Sequence, residues 1–225
     1  MKICLLCLAV CLSAWTMKAA DAVASAVSPV DQQLIAAAER GDGTAVKSLL
    51  AHGAGVRARD ERGRTALMAA THGNHVEVAT VLIASGSDVN ARDNIKDTPY
   101  LYAGAEGRLE ILRLTLKAGA DLKSTNRFGG TALIPAAEKG HIENVRELLK
   151  TSIEVNHVNN LGWTALMEAS MKKKRGPVHT KIVRLLLAAG ANPNLPDHQG
   201  VTPLSHAERA GNLEIAAVLK AAGGK

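Results

Sequence analysis

The sequence predicts an all-α solenoid of about six stacked helix-turn-helix units with hairpin-like finger loops between them. Three observations carry this. A pattern recurs as Thr65-Ala66-Leu67-Met68-Ala69-Ala70, Thr98-Pro99-Tyr100-Leu101-Tyr102-Ala103, Thr131-Ala132-Leu133-Ile134-Pro135-Ala136, Thr164-Ala165-Leu166-Met167-Glu168-Ala169 and Thr202-Pro203-Leu204-Ser205-His206-Ala207, at spacings of 33, 33, 33 and 38 residues. Nine residues after the Thr position stand Gly41, Asn74, Gly107, Gly140 and Gly211. A second apolar run follows at helical spacing, such as Val76, Val78, Val81, Leu82 and Ile83, or Ile182, Val183, Leu185, Leu186 and Leu187. A fixed period of this length marks a repeat architecture.

Each element has a local cause. Threonine opens the first helix of a unit because its hydroxyl can accept an amide N–H left over in the first turn. Pro99 and Pro203 take the next position, where a missing N–H costs nothing. The Gly or Asn nine residues on tolerates the left-handed backbone that closes a helix. The second helix ends in the same way at Gly53, Gly86, Gly119, Gly190 and Gly223. Polar, turn-forming stretches such as Asp88-Val89-Asn90-Ala91-Arg92-Asp93 then read as the finger loops.

Carrying the register 33 residues back from Thr65 reaches Gln32 and brings Leu34, Ala37 and Ala38 into line. The units therefore span 31–63, 64–96, 97–129, 130–162, 163–200 and 201–225. A helix pair this short cannot bury its apolar face alone, so the units must stack into one core. Gly43 and Ser48 in the first unit and Lys220 in the last interrupt the apolar pattern, as capping units require.

Residues 1–22 read as a cleaved signal peptide, followed by a short linker over 23–30. Lys2 supplies the positive start, Ile3 to Met17 are mostly apolar, and Ala20-Asp21-Ala22 has the small-x-small pattern of a cleavage site. Val10 before Cys11 argues against a lipoprotein signal. All three cysteines, Cys4, Cys7 and Cys11, lie in this segment. Disulfides, zinc-cysteine sites and thiol catalysis are thereby excluded from the rest of the chain. An exported chain without cysteine fits the periplasm, with extracellular release as the alternative. No apolar run of eighteen residues exists to span a bilayer. The whole chain carries a net charge of +6, which is mildly basic and does not suggest a nucleic-acid partner.

The repeated motif resembles the ankyrin repeat, with its 33-residue period and T-P-L-H-x-A core, over about Asp31 to Lys225. Stretches such as Leu161-Gly162-Trp163-Thr164-Ala165-Leu166 are most similar to exported bacterial members. The resemblance implies a binding module with a protein partner, not one shared activity. Departures from the pattern are Met68, Leu101, Ile134 and Met167 at the histidine position, Lys96 at a finger glycine, and Ser152 at a helix-ending glycine. These departures predict local strain.

Beyond the signal segment the aromatics are Tyr100, Tyr102, Phe128 and Trp163, all within units three to five. Tyr100 takes a buried leucine position. By register, Arg62, Ile95, Phe128, Leu161 and Gln199 share one finger column, and Arg64, Asp97, Gly130, Trp163 and Val201 the next. Large apolar residues in three adjacent fingers predict a partner site anchored by Phe128 and Trp163, helped by Tyr102, Ile95 and Leu161, with Arg62, Arg64 and Asp97 at a polar rim. The alternative is that Phe128 and Leu161 pack on neighbouring fingers and leave only Trp163 available.

The five extra residues of unit five fall in a basic loop between its helices, with Lys172, Lys173, Lys174 and Arg175 as candidate contacts for an anionic surface. His75, His141 and His179 recur at one register position, so the repeat explains them. His72 and His75 have no third ligand at metal-binding spacing. No H-E-x-x-H, G-x-S-x-G or phosphate-binding glycine loop is present, and a stack of repeats offers no obvious deep pocket. The expectation is a monomeric periplasmic adaptor or scaffold without cofactor, metal or enzymatic activity. A secreted effector binding a host protein, or a membrane-surface module working through the basic loop, are the other readings.

Overall fold

The computed structural model describes residues 28–171 and 176–225. The expected signal peptide and the loop cations Lys172 to Arg175 lie outside the described residues. Within them, twelve helices form six pairs. The first helices, α1 (Pro29–Arg40), α3 (Ala66–His72), α5 (Pro99–Ala105), α7 (Leu133–Lys139), α9 (Ala165–Met171) and α11 (Pro203–Arg209), pack one on the next. The second helices, α2 (Gly43–Ala51), α4 (Val76–Ala84), α6 (Leu109–Lys117), α8 (Ile142–Leu149), α10 (Pro177–Ala188) and α12 (Leu213–Ala221), form a parallel row. No strand is assigned among the described residues, so the fingers are turns rather than β-hairpins.

One continuous core runs between the two rows. The leucine two residues after each Thr position, as at Leu67, Leu133 and Leu166, is fully buried, and the alanines beside it let neighbouring helices approach. Burying one such leucine contributes about 1.5–3 kcal/mol. Tyr100 occupies the same slot and is also fully buried, but its hydroxyl has no hydrogen-bond partner among the described residues. Burial pushes its phenol above the ordinary value, with Asp121 adding to the effect.

The caps follow the pattern with two exceptions. The hydroxyls of Thr65, Thr98, Thr164 and Thr202 accept the amides of Met68, Leu101, Met167 and Ser205 at 3.1–3.3 Å. The first unit differs because Ser28, not Gln32, caps α1, so this helix starts at Pro29 inside the expected linker. The other exception is Thr131, whose buried hydroxyl makes no hydrogen bond among the described residues. Pro135 is the cause. It has no N–H for the Thr131 carbonyl, which takes the Ile134 amide at 3.3 Å instead.

Asn74 (φ 57°) and the glycines nine residues after the Thr position all have positive φ. So does Lys96 (φ 68°), which is strained in a conformation that side chains disfavour. Ser152 is not strained, contrary to expectation, because unit four ends differently. In other units the residue after the glycine donates back to the helix, as Ala120 does to the Thr115 carbonyl at 3.0 Å. In unit four the Thr151 hydroxyl accepts the Ile153 amide at 3.2 Å and donates to the Leu148 carbonyl at 2.6 Å. A side chain replaces the left-handed turn.

The unit-five insertion is partly helical: Met171 ends α9, and Pro177 and Val178 open α10 ahead of His179. The recurring histidines tie units together. His75 and His179 reach the Glu39 and Glu138 carbonyls of the preceding first helices at 3.0 and 3.1 Å.

Candidate functional site

Each finger is built round one side-chain oxygen. Asp60, Asp93, Asn126, Asn159 and Asp197, in a single register column, each accept two amides of their own finger at 2.8–3.0 Å, those of residues two and four further on. This is the Asx-turn chemistry that lets a short polar side chain replace a backbone partner. Fingers are also tied to each other, as Asn94 and Asn160 donate their amides to the carbonyls of Arg62 and Phe128 at 3.0 Å. The rigid turns hold the residue two past the Asx outward. Ile95, Phe128 and Leu161 are accordingly 45%, 52% and 50% exposed.

The residue four past the Asx instead turns toward the first helix of the preceding unit, and its chemistry sets the character of the hollow there. In the first such place Arg64 is only 7% exposed. Its guanidinium binds Glu39 at 2.9 Å and Asp60 at 2.8 Å. In the equivalent place two units on, the pair is Gly130 and Ala105, which reach nowhere. A cavity of about 450 Å³ opens between the fingers and α5, α7 and α9. The stack therefore does contain a hollow of ligand size, contrary to the expectation of none.

The hollow has apolar walls and an acidic interior. Ile95, Phe128, Leu161 and Trp163 come from the fingers, and Tyr102, Pro135 and Glu168 from the first helices, all three at the position four residues after the Thr. Trp163 is half-buried, and the Tyr102 ring stacks on His72 at 3.9 Å between centroids. Four acidic residues line the space, Asp97, Glu106, Glu138 and Glu168, against Arg127 and Lys139. Both cations are engaged: Lys139 is paired with Glu106, and the Arg127 guanidinium lies 4.8 Å from the Phe128 ring centre. Burial, and then the neighbouring Asp93, push the Asp97 carboxyl above its ordinary value, with Arg127 opposing. Burial and the Arg64 charge hold the His72 imidazole down.

The expected anchors Phe128, Trp163, Tyr102, Ile95 and Leu161 thus line one cavity, and Asp97 lines it with them. Phe128 and Leu161 do not pack away. The two arginines were expected beside them and are not. Arg64 is no rim residue, because Glu39 and Asp60 draw its guanidinium inward. Arg62 is exposed beside a separate hollow at the first units, which Ile35, Glu39, Asp60 and Arg64 also line. Sequence reasoning missed Glu168, Pro135 and Arg127. The signal was available for the first two, since the column of Ala69, Tyr102, Pro135, Glu168 and His206 changes from small to large at unit three. Among the described residues, no cluster of three His, Cys, Asp or Glu could hold a metal, and no helix is long and apolar enough to cross a membrane.

Stacked helix pairs, Asx-built fingers and a concave hollow define a helical-repeat binding protein. The family described as ankyrin repeats (three copies) matches residues 34–126 and 100–197. A crystallised ankyrin repeat domain from Acinetobacter baumannii AYE is 57% identical, with a TM-score of 0.82, covering 85% of this chain and 98% of that one. A second crystallised ankyrin repeat protein is 41% identical, with a TM-score of 0.81, covering 84% and 97%. No curated protein matches the chain. The chain belongs to the ankyrin repeat family. Ankyrin repeats mediate protein–protein interaction and in general do so without catalysis.

Proposed function

We propose that this chain is a non-enzymatic, monomeric adaptor or scaffold of the bacterial periplasm, binding a partner protein in the hollow between its second, third and fourth fingers. One observation carries the reading: Ile95, Phe128 and Leu161 are three of the six large apolar side chains exposed among the described residues, and they share one cavity with Trp163 and Tyr102. Apolar anchors beside a concave, partly polar floor are what a partner's side chains fill with most gain in affinity. An interior with more acid than base repels phosphate, which supports a protein rather than a nucleic-acid partner. The periplasmic placement is supported by the amino-terminal pattern of residues 1–22 and by the cysteine-free remainder.

The test is affinity capture from periplasmic extract with the native chain beside the Phe128→Ala/Trp163→Ala variant, read by mass spectrometry. A protein held by the native chain should be lost with the variant, corresponding to at least about 2 kcal/mol per anchor, while Tm changes little. Equal retention by both baits removes this face as the binding site. Recovery of the chain from culture supernatant rather than the osmotic-shock fraction favours the secreted-effector reading.

A further inference from the structure

Tyr102, one wall of the hollow, is backed by a histidine unlike most others in the chain. His52, His75, His157, His179 and His206 each place a ring nitrogen 2.7–3.1 Å from an oxygen, which can receive the N–H of a charged imidazole. His72 does not. It ends α3, its ring lies on the Tyr102 ring at 3.9 Å and 15°, and its buried Nε2 has no hydrogen-bond partner among the described residues. The charged groups that act on it are Glu39 from α1, Arg62 and Arg64 from the first finger and Asp93 from the second, with the Tyr102 phenol from α5 against its face. Glu39 is already paired with Arg64 at 2.9 Å, and Asp93 holds the amides of Ile95 and Asp97. Burial and then the Arg64 charge prevail, and the imidazole is held below its ordinary value of 6.5.

We propose that the stacked His72–Tyr102 pair is an acid-sensitive latch on the hollow: a proton on His72 drives the imidazole off the Tyr102 ring, the freed ring reshapes the apolar wall, and the site loses affinity for its partner. This rests on the hollow being the partner site. A charged imidazole keeps some attraction to the Tyr102 face. It also carries a buried N–H without an acceptor, and an unmet donor on a charged group outweighs that attraction. The folded chain takes this proton less readily than a free imidazole does, so the stack is intact above pH 6.5 and is lost as pH falls through the lowered value.

The experiment follows the intact chain from pH 8 to pH 4.5 by two readouts. Nuclear magnetic resonance of the histidine and tyrosine rings should show His72 titrating below 6.5 and the Tyr102 ring resonances moving with the same midpoint. The neutral dye Nile red, whose binding to the hollow is checked by its loss in Phe128→Ala/Trp163→Ala, should bind at least about threefold more weakly at pH 5 than at pH 7.5. His72→Gln keeps every acid of the hollow and should make this binding independent of pH, which separates the latch from titration of Asp97. His157→Gln should leave the pH dependence as it is in the native chain. Tyr102 resonances that do not follow His72, or the same pH dependence in His72→Gln, would overturn the latch and leave the hollow standing as an apolar site. Dye binding indifferent to Phe128→Ala/Trp163→Ala would count against the hollow itself, and the ring resonances alone would then decide the latch.

Discussion

The first two units and the middle three treat the same register positions in opposite ways. Where Arg64 meets Glu39, a guanidinium closes the gap between finger and helix with an ion pair, satisfies Asp60 as well, and gives the hollow of about 450 Å³ beside it charged walls. Where Gly130 meets Ala105, the space stays open, and the fingers around it expose Ile95, Phe128 and Leu161. Four irregularities fall on or beside the open side. Lys96 has a left-handed backbone, Asp97 is a carboxylate pushed up by burial, the Tyr100 hydroxyl is buried without a hydrogen bond, and Thr131 has lost its capping role to Pro135. All four fall between residues 96 and 135. A repeat fold can carry such costs because each unit leans on its neighbours, and they concentrate where the surface is shaped for something other than stability.

Variants that even out the two regions test this difference. The largest change in stability is expected on the closed side. Arg64→Met should destabilise the chain by about 2 kcal/mol, since it removes charge-assisted bonds from a buried guanidinium to two carboxylates, read as the shift in urea midpoint. Burial alone would push Asp60 up, but the Arg64 amide and guanidinium and the Arg62 amide hold its carboxyl below the ordinary value. The stability this gives is present above pH 3.8 and is lost as pH falls through the lowered value. An unchanged midpoint would mean that the closed region gains nothing from its ion pair.

On the open side, regularising the fold should stabilise it. Pro135→Ala restores an N–H to the first turn of α7 and lets Thr131 cap it, for a gain of about 1 kcal/mol. A loss of Tm would show instead that the proline ring's packing outweighs the missing bond. Lys96→Gly relieves a left-handed backbone in the finger and should add somewhat less, about 0.5–1 kcal/mol, offset by the added freedom of glycine in the unfolded chain. Differential scanning calorimetry resolves both, and a decrease for Lys96→Gly would mean that unfolded-state entropy outweighs the strain.

Much of the fold was legible because one physical device repeats. Thr65, Thr98, Thr164 and Thr202 cap as their hydroxyls dictate, and the glycines that follow turn the chain as only small residues can. The breakdowns came from competition within a turn. At Thr131 the motif was present, but a proline four residues later cancelled it. At Ser152 a threonine one residue earlier made the glycine unnecessary. The apolar half of the candidate site was legible for the same reason, since register placed Ile95, Phe128 and Leu161 in one exposed column. Its polar half was not. Arg64 and Asp97 share a column, yet one is drawn into an ion pair and the other is left facing a hollow, because Glu39 stands opposite the first while His72, at the equivalent place for the second, is stacked on Tyr102. The Asx column from Asp60 to Asp197 was readable at the same period and would have shown the fingers to be rigid.

The central claim is that the small residues Gly130 and Ala105 leave the hollow beside them apolar and free of a bridging ion pair, which makes it the binding site. Gly130 does not need to be glycine for its backbone, as its φ is not positive, and a Cβ there would meet Asn126 and Ile134 at ordinary contact distances of 3.5 and 3.7 Å. The variant Gly130→Arg/Ala105→Glu should therefore bridge the hollow with the ion pair already found between Arg64 and Glu39 and replace its apolar floor by charge. Its binding to the partner captured by the native chain, measured by calorimetric titration, is predicted to fall below detection while Tm and helical circular dichroism stay at native values. Full affinity in the folded, bridged variant would contradict the account.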